Sequence, residues 1–138
     1  MASLTAAVPG KAEIRAHVDM VLAWNLNGPA LPALDSALCM IEQLTDYGRI
    51  VANDLRAQCL KVPADSDARH NAQATLGEAS RRLHLPPPYR TPQAAGRRAQ
   101  NIARLVNALL RAVGEVSREQ ARTRRHQQAI TPSEGRDA

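Results

Sequence analysis

The chain has no phenylalanine, and its only aromatic residues are Trp24, Tyr47 and Tyr89. A β-sandwich draws on aromatic and β-branched cross-strand pairs, so this composition disfavours one. The interior has to come from Leu, Val, Ile and 25 alanines, which suits closely packed helices. No stretch approaches the ~18–20 apolar residues of a membrane span, and "MASLTAAVPG" has neither a basic leader nor an adequate apolar segment. The expectation is a cytoplasmic protein that does not enter a membrane.

Catalytic signatures are equally sparse. There is no Gly-rich phosphate loop, no Gly-x-Ser-x-Gly elbow and no Cys-x-x-Cys pair. Cys39 and Cys59 fall on one expected helix, 20 residues and so about 30 Å apart, far beyond the ~7 Å reach of a disulfide. They cannot pair with each other unless that helix is broken, and they read as two small core or semi-exposed residues in a reducing compartment. The histidines are His17, His70, His84 and His126. A di-metal bundle needs inward Glu residues together with Glu-x-x-His pairs, and only Asp67 with His70 and Glu13 with His17 approach that spacing. No cofactor or metal is expected, and "ADSDARH" reads as a capped helix start whose acids complement the helix dipole. Asn53 and Asp54 sit beside an apolar face and read as a buried polar tie between helices.

At 138 residues the chain is long enough for one domain with its own core. Gly and Pro punctuation divides it into four helical segments. The first runs from Lys11 to Trp24, with Ile14, Val18, Val21 and Leu22 on one face. The second begins near Pro32 and reaches Val62, and Gly48 marks either a close helix contact or a break. Ser66 or Asp67 caps the third, whose face is thin: Ala68, Ala72, Leu76, Ala79 and Leu83. "LPPPYRTP" is then a stiff, extended connector.

In the fourth segment Thr91 caps, Pro92 takes the first turn, and Ala95, Ala99, Ile102, Val106, Leu109, Val113 and Val116 follow a heptad seam widened by Leu105 and Leu110. Periodicity ends after Val116. The expected organisation is a disordered stretch over 1–10, a bundle over 11–120 and a basic, disordered tail over 121–138. The fold class is all-α: an up-and-down four-helix bundle with two long and two shorter helices. Ile102, Val106, Leu109 and Val113 are the interaction residues, as core seam or as the face of a homodimer, since the apolar surface of the fourth helix exceeds what the first and third could cover.

Arginine outnumbers lysine 16 to 2. Residues 1–90 carry nine cations and nine acids, whereas residues 91–138 carry nine arginines and four acids, so the whole excess of +5 lies in the last third. Arg97, Arg104, Arg111, Arg118 and Arg125 step by seven and fall opposite the seam. That position faces water in a bundle. The same ladder could contact an acidic protein, or anions and nucleic acid through Arg97, Arg104, Arg111 and Arg118, although the segment has no aromatic residue for base stacking. Glu115 and Glu119 are spaced to pair with Arg111, Arg118 and Arg122.

The text "GRIVANDLRAQCLKVPADSDARHNAQATLGEASRRLHLPPP", followed by "TPQAAGRRAQNIARLVNALLRAV", resembles a small actinobacterial family, common in streptomycetes, of unknown function and labelled "natural product biosynthesis protein". The resemblance spans about Val18 to Val116. It implies an accessory of specialised metabolism and brings no functional residue with it.

The leading functional expectation is a non-catalytic interaction or regulatory protein docking a protein partner through a helical face. The second is nucleic-acid binding through the basic C-terminal helix. A small-ligand or metal enzyme in the bundle core is the third.

Overall fold

The computed structural model describes residues 10–137, with side chains through Gln128. It is all-helical over that span: α1 Lys11–Leu22, α2 Leu34–Cys59, α3 Asp67–Arg82 and α4 Pro92–Asp137. The expected disorder of residues 1–9 lies outside the described residues.

Each boundary has a local cause. No side chain caps α1, whose first turn closes by Ile14 N–H donating to Gly10 C=O at 3.1 Å. Its end comes two residues before Trp24, where the Ala23 and Trp24 amides turn back onto the last carbonyls. Pro32 precedes α2 rather than occupying its first turn, and Ala33 takes the cap position. At the other end α2 stops at Cys59, short of Val62. Gly48 does not break it. Ser66 caps α3 by accepting from Arg69 N–H at 3.2 Å, and Thr91 Oγ1 accepts from Ala94 N–H at 3.2 Å at the start of α4.

The long fourth helix continues to Asp137, well past Val116 where the apolar pattern stops. Arg, Ala and Gln supply eight of the 17 residues from 121 to 137, and good helix formers extend a helix without an apolar face. At ~1.5 Å per residue, α4 projects beyond its contact with the end of α2 by about 25 Å.

Successive helices alternate in direction. Gln100 of α4 bonds the last turn of α1, and Gly48 of α2 lies beside Val106. Gln58 meets Gln120, so α2 and α4 run parallel. On α3 the order is reversed: Asn71 shares a depression with Glu115, and Arg82 shares one with Arg104. The parallel α2–α4 pair is the most extensive contact in the fold. Both helices touch α1 and α3, whereas among the described residues α1 and α3 do not touch each other.

The core contains Ile14, Val18, Val21, Leu44, Val51, Leu55, Leu76, Leu83 and the seam of α4. Small residues let the frame close: Ala37, Ala72, Ala79, Ala95, Ala99 and Ala103 are fully buried. Among the described residues no polar or charged residue is buried. The thin face of α3 is thus a close-packing face. The two thiols are unpaired, Cys39 exposed and Cys59 buried, at opposite ends of an unbroken α2.

Candidate functional site

Ile102, Val106, Leu109 and Val113 are at most 3% exposed within the single chain. They form its core seam and leave no surface for a second molecule. α2 lies along α4 and, with α1 and α3, covers this seam.

Arg97, Arg104, Arg111, Arg118 and Arg125 are all exposed on the opposite side. Seven residues rise ~10.5 Å and turn ~20° short of two full turns, so the first four guanidinium groups climb one side of the helix over about 32 Å. Arg104 Nη1 donates to Asn101 Oδ1 at 3.0 Å. Of the expected pairs with Glu115 and Glu119, only Arg122–Glu119 forms, at 3.5 Å. Arg111 and Arg118 make no ion pair among the described residues.

Below the ladder, three adjoining depressions of about 270, 260 and 420 Å³ join into a furrow between α3 and α4. Ala74, Thr75, Ala108 and Ala112 line its upper part. Charge along it is mixed. Arg82 Nε pairs with Glu78 at 2.7 Å, and Asp65, Asp67, Glu115 and Glu119 face Arg118 and Arg122 at the lower end.

The metal-ligand candidates separate. Asp65, Asp67 and His70 are exposed, and among the described residues no three His, Cys, Asp or Glu side chains converge on an ion position. His17 Nδ1 lies 2.9 Å from the Glu13 backbone oxygen, and its ring tilts against Tyr47 at 5.6 Å between centroids. Burial is the main cause that raises the Tyr47 phenol above its ordinary value of 10.0, with the nearby Glu13 charge second. Asn53 and Asp54 are not buried ties: both are exposed and bond along their own helix, to Arg56 and Gln58. They fall just off the buried stripe of Val51, Ala52 and Leu55.

The ties between elements come from residues with no sequence signal. Gln100 Nε2 donates to the carbonyls of Val21 at 3.1 Å and Trp24 at 3.0 Å. Gln120 Nε2 donates to the Gln58 carbonyl at 3.1 Å and to Gln58 Oε1 at 2.9 Å. Arg98 Nη1 donates to Pro86 C=O at 2.7 Å, pinning the proline connector to α4.

A second surface feature arises where α1 and α2 diverge. Met20, Trp24, Pro32, Ala33, Asp35, Ser36, Cys39 and Met40 line a groove of about 600 Å³ that is more apolar than the α3–α4 furrow. Met20 is 47% exposed and Trp24 is half-buried against the core. Sequence reasoning missed this site. Its trace was a methionine lying off the apolar face of α1, together with a run from Ala16 to Gly48 that holds Asp19, Asp35, Glu42 and Asp46 but no Lys or Arg.

The match to a family model covers residues 12–118, nearly the whole bundle and all four helices up to the projecting part of α4. The chain belongs to the family of unknown function DUF6415. No curated protein and no solved structure matches it. The DUF6415 match ends close to Gln120, so the family region coincides with the part of α4 that has helices packed against it.

Proposed function

We propose that this DUF6415 protein is a non-catalytic accessory that works by docking another protein on its helical surface. The observation carrying this reading is the contrast between interior and exterior. Among the described residues the fully buried side chains are apolar, while the exterior offers a methionine- and tryptophan-lined groove and a furrow edged with arginine. Apolar grooves on a rigid helical frame are a recurring way of receiving a partner helix. On the resemblance to the actinobacterial family labelled "natural product biosynthesis protein", its setting is specialised metabolism in the cytoplasm.

The second reading is nucleic-acid binding along α4. It is favoured by the exposure of all five ladder arginines and opposed by the absence of aromatic residues from that helix. Co-purification of the tagged protein from its host, with and without nuclease, separates the two. Defined protein partners that survive nuclease support docking; material that vanishes with nuclease, and whose affinity falls steeply with salt, overturns it.

A further inference from the structure

The α1–α2 groove has an edge position in the bundle. Of the helix pairs in contact, α1 and α2 touch least, and α3 does not reach α1. The slot beside them is flanked by helices on two sides and open on the third, which is how a further helix packs at 8–10 Å from its neighbours. Met20, in the last turn of α1, and Trp24, two residues past its end, line the slot together with Ser36 and Met40, which stand one turn apart on α2. Unbranched methionines refit themselves to varied apolar side chains, and tryptophan supplies a large contact area with few rotors.

Charge selects the occupant. Asp35 lines the groove, Asp19 adjoins Met20, and Glu42 follows on α2; all three are exposed. None makes an ion pair among the described residues, Asp46 being the one acid of the run that does, with Arg49 at 3.6 Å. From Ala16 to Gly48 the chain thus carries four acids and no Lys or Arg, although the whole chain has a net charge of +5. We propose that the groove is the docking site for a cationic amphipathic helix of a partner protein, with aliphatic anchors placed between Met20, Trp24 and Met40 and Lys or Arg flanks against Asp19, Asp35 and Glu42. This rests on the docking reading above and names its partner by chemistry.

Trp24 is the only tryptophan, so its emission reports this site alone. Cys39 lines the groove and is exposed, whereas Cys59 is buried, giving a second local readout. The probe is a 14-residue leucine–lysine amphipathic peptide without aromatic residues, compared with the same peptide carrying Glu for Lys. The expected result is a saturable blue shift of Trp24 with the lysine peptide at one per chain, slowing of Cys39 alkylation by about tenfold, and little response to the glutamate peptide.

Met20 is half-exposed, so Met20→Lys keeps the fold, as circular dichroism checks, and weakens binding by at least tenfold. Asp35→Lys narrows or inverts the preference between the two peptides, which a merely structural role would not do. Equal binding of both peptides, or an unchanged Trp24 spectrum, overturns the proposal. So does self-association that is lost with Met20→Lys, since the occupant is then a second copy. If nuclease-resistant partners from the host still co-purify with Met20→Lys, the groove assignment falls while the docking reading stands. If the lysine peptide binds as expected but the host yields no protein partner, the groove's preference for a cationic helix stands, while its use by a partner protein falls with the docking reading.

Discussion

Leu83, the residue that ends α3, closes on Gly48 at the midpoint of α2, so that a methyl group placed on Gly48 would come within 2.9 Å of Leu83 Cδ2. Val106 of α4 lies at 3.6 Å from the same point. α2, the end of α3 and α4 meet at one missing side chain, so the glycine of the continuous α2 marks a close helix contact.

Two opposing effects of similar size decide what Gly48→Ala does. Alanine gains ~1 kcal/mol of helix propensity, while overpacking a filled core costs about 1–3 kcal/mol. The expected outcome is a small net loss of about 1 kcal/mol in the native background and a gain of similar size when Leu83→Ala is already present. A double-mutant cycle by urea unfolding measures the coupling; strict additivity would mean that Leu83 does not fill this space.

The two sides of α4 differ sharply in what they contribute to stability. Leu109 is fully buried, and Leu109→Ala is expected to cost about 3 kcal/mol, lowering Tm by roughly 10 °C. Replacing Arg97, Arg104, Arg111 and Arg118 with Gln together should move stability by only ~1 kcal/mol, because all four are exposed and without acidic partners among the described residues. Calorimetry of the two variants checks the contrast.

Gln100 closes the end of α1 from 76 and 79 residues away. Gln100→Ala leaves the Trp24 carbonyl without its donor, while the Val21 carbonyl keeps its bond from Trp24 N–H, at an expected cost of about 1 kcal/mol. Loosening of the α1 terminus should also shift Trp24 emission to the red, without loss of overall helicity.

Tyr47 sets an alkaline limit. Its folded-state phenol titrates above 10.0, so the folded form favours the neutral ring. The associated stability is fully present below the ordinary value and is lost as pH rises from there through the folded-state value. Tyr47→Phe should remove that part of the alkaline decline, visible as a flatter dependence of the urea midpoint above pH 10 and the loss of one phenolate absorbance step.

Thiol accessibility gives a direct check on α2. In the native chain one thiol equivalent, Cys39, should react promptly with a disulfide reagent, and the second, Cys59, only after denaturant is added. Two prompt equivalents would place Cys59 at the surface.

The seam of α4 was legible because a heptad pattern depends on one helix alone, and α2 was legible through Gly48 because its apolar residues keep their period on both sides. The solvent-facing side of the arginine ladder followed from that seam. What covers the seam was not legible. Adjacency of α2 and α4 is fixed by how four helices share volume, and no local pattern encodes it. Leu26 against Gly96, where an added methyl would lie at 2.7 Å from Leu26 Cδ2, brings together residues 70 apart in the chain. The polar ties failed for a related reason: glutamines at 100 and 120 look like any surface residue until the carbonyls they serve are in place. The α1–α2 groove was hidden because its two walls come from separate helices and carry no motif.

The absence of contact between α1 and α3 among the described residues has a consequence for how the molecule opens. Each short helix is fastened to the α2–α4 frame without support from the other, so each can detach as its own cooperative unit. Amide hydrogens of residues 11–22 should exchange at a lower free energy than those of α2, and a helix seated beside Met20 and Trp24 would slow exchange in α1 while leaving α3 unchanged.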